Sequence, residues 1–98
     1  MKLIPEKAWN DFKSQHISVD IKDIAQGIVT TLIILVPESQ IEAFKNSQQF
    51  QGLRTDYFNL VRQHTDEKIS MPENITMHLE SKENFDVKYK GSWYNYFG

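Results

Sequence analysis

The chain has no cysteine, which excludes disulfides, thiol nucleophiles and thiolate metal ligands together. It has only four glycines and three prolines. No Gly-rich phosphate loop, Gly-x-Ser-x-Gly elbow or low-complexity linker can be assembled from them. The longest apolar run, Gly27 to Val36, is ten residues, far short of the roughly 20 needed to cross a bilayer as a helix. The start, Met1-Lys-Leu-Ile-Pro-Glu-Lys, lacks an apolar core, so no signal peptide is expected. With a net charge of −2 there is no basic excess of the kind that marks nonspecific nucleic-acid binders. A cytoplasmic protein without membrane contact is the expectation.

What is present describes a folded domain. Ninety-eight residues with 40% hydrophobic content are enough for one core, and a single α+β domain over 1–98 is expected. Pro5 suits the first turn of a helix, and Ile4, Ala8, Trp9 and Phe12 form one apolar stripe, which predicts a helix over 5–15. Ile17, Ile21, Ile24, Ala25 and Ile28 recur at helical spacing behind Ser18, so a short helix over 18–26 is favoured, although Val19 and Ile21 also fit a strand. Ile28 to Val36 is β-branched and almost wholly apolar, the pattern of a central strand covered on both faces, and Pro37 ends it. Ser39-Gln-Ile-Glu42 matches a capping box before a helix over 39–46. Leu53, Tyr57, Leu60, Val61 and His64 mark an amphipathic helix over about 52–64.

Two alternating runs follow. Ile75, Met77 and Leu79 alternate with polar residues, and so do Phe85, Val87 and Tyr89 across the polar turn Ser81-Lys-Glu-Asn84. This predicts a C-terminal β-hairpin with one buried face. The expected architecture is a three-stranded, mainly antiparallel sheet with helices on one face. The two-sided apolar strand then requires cover for the second face, from the C-terminal aromatics or from a second copy of the chain in a homodimer.

Half of the chain's six Phe, four Tyr and two Trp lie in its last stretch, as Phe85, Tyr89, Trp93, Tyr94, Tyr96 and Phe97. Rings of this size are either core or docking surface, and Trp and Tyr are enriched at binding hot spots. Between Gln63 and Asp86 the acids Asp66, Glu67, Glu73, Glu80, Glu83 and Asp86 outnumber Lys68 and Lys82, giving either a solvated face or a patch complementary to a basic partner. Lys82, Lys88 and Lys90 among the aromatics also fit a single-stranded nucleic-acid surface, or else plain edge-strand charges. His16, His64 and His78 are the only histidines, and no pair has metal-ligand spacing, so neither metal nor cofactor is expected. His78 and Glu80 share a strand face as an acid–base pair without a cleft, and His64 sits on a helix stripe, the alternative place for a small-ligand pocket between sheet and helices.

The stretch Ile75-Thr-Met-His-Leu-Glu-Ser-Lys-Glu-Asn-Phe-Asp-Val-Lys-Tyr89 resembles the hairpin of the YezG-like family of bacterial immunity proteins, with an apolar strand ending at Glu-Ser, a polar turn and Phe-x-apolar-x-Tyr. The preceding helix with Leu53, Tyr57, Leu60 and Val61 is similar in kind. The likeness covers about a third of the chain, which lacks that family's Gly-rich strand pair after the first helix and the tryptophan before Ile75, so no site residues are carried over. The resemblance implies a class: small acidic inhibitors of nuclease toxins. The residues themselves point the same way, to a non-enzymatic protein-binding surface of Glu73, Glu80, Glu83 and Asp86 with Trp93, Tyr94 and Tyr96 as anchors. The alternatives are a single-stranded nucleic-acid module and a small ligand-binding protein or enzyme.

Overall fold

A three-stranded mixed sheet with five helices packed against it organises the chain, as seen in a computed structural model that describes residues 3–28 and 30–98. Helix α1 spans Glu6–His16, β1 Asp23–Gln26, β2 Thr31–Val36, α2 Ile41–Lys45, α3 Gln48–His64, β3 Thr76–Ser81, α4 Lys82–Lys88 and α5 Trp93–Phe97. The α+β class and the three-stranded sheet are those predicted. Strand β2 is central, antiparallel to β1 and parallel to β3, so the sheet is mixed rather than mainly antiparallel. Parallel neighbours require a crossover, and α2 and α3 supply it between β2 and β3.

The apolar run before Pro37 forms β2, in which every residue from Leu32 to Val36 is buried. Val29, within the strand predicted over 28–36, lies outside the described residues, as do Met1 and Lys2. Alternation sends Leu32, Ile34 and Val36 to one face, where Phe12 of α1, Phe44 of α2 and Phe50, Leu53, Tyr57 and Val61 of α3 complete the main core. Ile33 and Leu35 point the other way and are buried too. Helices α4 and α5 cover that second face. The sheet is therefore covered on both sides, and the expectation of helices on one face is corrected.

Three local expectations also change. The predicted helix over 18–26 is instead a turn followed by β1. The Ser18 hydroxyl accepts from the N–H groups of Asp20 and Ile21, and Lys22 N–H donates to Leu35 O, so pairing with β2 satisfies the backbone. Ser39 makes no capping box, because it falls inside a 3-10 turn over Glu38–Gln40 that precedes α2. Helix α3 begins at Gln48 rather than near 52, capped by Ser47, whose hydroxyl accepts from Phe50 N–H at 3.1 Å.

The largest correction is the C-terminal hairpin. Its first strand is β3, but Phe85, Val87 and Tyr89 belong to helix α4 and its end. Ser81 caps α4, accepting from Asn84 N–H at 3.0 Å, and Lys82 pairs with Asp86 one turn on. Phe85 is buried, whereas Val87 is 83% exposed, so the alternation was not that of a half-buried strand. Lys90 and Gly91 then adopt φ of +56° and +68°, reversing the chain so that α5 can return over the sheet.

Candidate functional site

The aromatic segment is mainly packing. The Phe85 ring lies 4.6 Å from Trp93 and 6.0 Å from Tyr96, and Trp93 stacks on Phe97 at 5.8 Å. The Trp93 indole N–H donates to Asp23 Oδ2 at 2.8 Å, which fastens α5 to β1 across the whole chain. Lys13 Nζ reaches the other oxygen of Asp23 at 3.0 Å. Burial pushes the Asp23 carboxyl up, but Trp93, Lys13 and the Ile24 N–H more than offset it, leaving its pKa below the ordinary value. Burial, the Glu80 carboxylate and Tyr89 push the Tyr96 phenol upward. Tyr94 differs from its neighbours in the same helix, being 86% exposed.

The acidic residues divide by position. Glu73 stands in a 3-10 turn before β3, separated from the others by about 13 Å of strand between Thr76 and Glu80. Both oxygens of Asp86 are held by Lys82. Glu80 accepts from Ser81 N–H and Asn84 Nδ2, each at 3.2 Å. Glu83 accepts from the backbone N–H of Glu38, which brings the α4 start to the loop after β2. Glu38, Glu80 and Glu83 thus surround an open groove of about 510 Å³ with Ile41, Leu79 and Val87 in its walls. The sequence singled out Glu80 and Glu83. It gave no sign of Glu38, which joins them only because β2 and β3 are parallel and end together. It gave none of Asp23 either, whose partner Trp93 is 70 positions away.

The remaining candidates are more dispersed. His78 Nε2 is 3.7 Å from Glu80 Oε2, with the His78 side chain largely in solvent, a poor setting for proton transfer. His64 lines an open groove of about 370 Å³ between α1 and α3 with Asp11 and Asp56. In the same helix pair His16 Nε2 and Asp56 Oδ2 lie 3.0 Å apart. Among the described residues no three His, Asp or Glu converge in a metal-binding arrangement. Nor, among those residues, is any helix long and apolar enough to cross a membrane.

Comparison with protein-family models, with curated proteins and with solved structures finds no match.

Proposed function

We propose that this protein is a non-enzymatic binding protein, most concretely a bacterial immunity protein that neutralises a cognate toxin domain such as a nuclease in the cytoplasm. The observation that carries this reading is the groove at the ends of β2 and β3. Glu38, Glu80 and Glu83 set negative charge around Ile41, Leu79 and Val87, which suits a partner whose own substrate surface is basic. On the C-terminal helix, Tyr94 offers an exposed ring free of the packing that occupies Trp93 and Tyr96. The nucleic-acid alternative required a Lys–aromatic hairpin face, but Phe85 is buried and Lys82 is paired with Asp86.

Capture from the source cell's lysate at low and high salt tests the reading. The expected result is one protein retained in equal amount, whose toxic activity stops when this chain is added stoichiometrically. Tyr94→Ala should weaken that complex by about 2 kcal/mol while leaving thermal unfolding unchanged. An empty capture, or a retained protein whose activity is unaffected, would sink the proposal.

A further inference from the structure

Strand β3 forms one edge of the sheet. Thr76 N–H donates to Thr30 O at 2.9 Å, so alternation turns the backbone groups of Thr76, His78 and Glu80 toward β2 and those of Met77, Leu79 and Ser81 outward. Glu80 satisfies the Ser81 N–H. The N–H groups of Met77 and Leu79 have no protein partner among the described residues. Within the strand there is no lysine, no proline and no break in register to block pairing.

The two flanks of this edge differ. On the side of the main core, a groove of about 210 Å³ runs between α2 and β3, walled by Ile41, Phe50, Met77 and Leu79 with Glu42 and Lys45 on the α2 side. At the end of β3 the wider groove shares Ile41 and Leu79 with it and adds Glu38, Glu80 and Glu83. An added strand would send alternate side chains to the two faces of the sheet, one series meeting Met77 and Leu79 and the other meeting His78 and Glu80.

We propose that the β3 edge is where the partner binds, by adding an extended segment of alternating apolar and Lys/Arg residues as a fourth strand. This rests on the protein-binding reading and gives it a site and a recognition pattern. Backbone pairing with Met77 and Leu79 would supply the register, and the asymmetric flanks would select the sequence.

The test is an amide-resolved NMR titration of the full chain with an end-blocked hexapeptide of alternating Val and Lys. Two controls accompany it, one with Glu in place of Lys and one N-methylated at alternate amides. The Lys peptide should shift the Met77 and Leu79 amides and slow their hydrogen exchange, and both controls should fail. Glu38→Gln combined with Glu80→Gln should weaken the Lys peptide about tenfold. The proposal is overturned by unchanged Met77 and Leu79 amides at millimolar peptide, or by equal binding of the N-methylated peptide. Protection of both amides by self-association before any peptide is added also overturns it. A response confined to Tyr94 and Phe97 removes the edge site but leaves the protein-binding reading standing. An empty lysate capture beside a positive titration does the reverse.

Discussion

Replacing Trp93 by phenylalanine should remove one hydrogen bond and little apolar area. The bond runs from the indole to a carboxylate at 2.8 Å. Bonds to charged groups contribute about 1.5–3 kcal/mol when buried. The Asp23 side chain retains 31% exposure, so solvent screening reduces the expected loss to about 1 kcal/mol. For a domain of this size that corresponds to a fall in Tm of about 4–8 °C. Trp93→Ala also strips the ring contacts with Phe85, Tyr96 and Phe97 and should cost about 2–3 kcal/mol, below the value for a fully buried tryptophan. Urea unfolding followed by circular dichroism gives both numbers, and a double-mutant cycle with Asp23→Ala isolates the bond. The acid range adds a signature. Because the Asp23 carboxyl titrates lower in the fold than its ordinary 3.8, the stability it carries is full above that value and is lost as pH falls through the folded value. Wild type and Trp93→Phe should therefore converge as the solution is acidified below 3.8. If Trp93→Phe and Trp93→Ala both match wild type at neutral pH, α5 is not docked on the sheet and the account of the second face fails.

Tyr57 should govern the alkaline limit. Burial raises its pKa from 10.0 to about 12, so the associated stability is full below pH 10 and about 2 kcal/mol is lost by pH 12. Tyr57→Phe should flatten that decline, and a spectrophotometric tyrosine titration should lose its latest phase. Gly52 lies within α3 with nothing within 4 Å of a built Cβ, so Gly52→Ala should stabilise by about 0.5–1 kcal/mol, and a fall in the urea midpoint would contradict the helix placement. Ser81→Ala removes the cap of α4 and should cost about 1 kcal/mol, with loosening detectable as faster hydrogen exchange in 82–88.

The elements read correctly from sequence are those whose pattern has a single solution. Helix α1 has one stripe. Strand β2 is a β-branched run closed by Pro37, and its two-sided burial follows from Ile33 and Leu35 being as apolar as Leu32 and Ile34. Ambiguity enters where both periods fit. Ile21 and Ile24 are both buried, as a helix predicts, yet four residues of strand also place them inward around a turn. Phe85, Val87 and Tyr89 satisfy period 2, but Phe85 and Tyr89 also stand one helical turn apart, and Ser81, Lys82 and Asp86 add a cap and an i,i+4 pair. Those local signals were available and favoured a helix. The groove was legible only in part, since Glu80 and Glu83 lie close in sequence while Glu38 reaches them through strand order.

The parallel placement of β3 has a kinetic consequence. Strands β1 and β2 are close in sequence, but β2 and β3 pair only after about 40 intervening residues have been brought round. Much of that span must first coil into α2 and α3 against one side of a two-stranded ribbon. Closing this crossover is the expected slow step of folding, and substitutions that weaken α3 should then slow refolding more than they speed unfolding. The same three strands joined as an antiparallel meander would meet no such step.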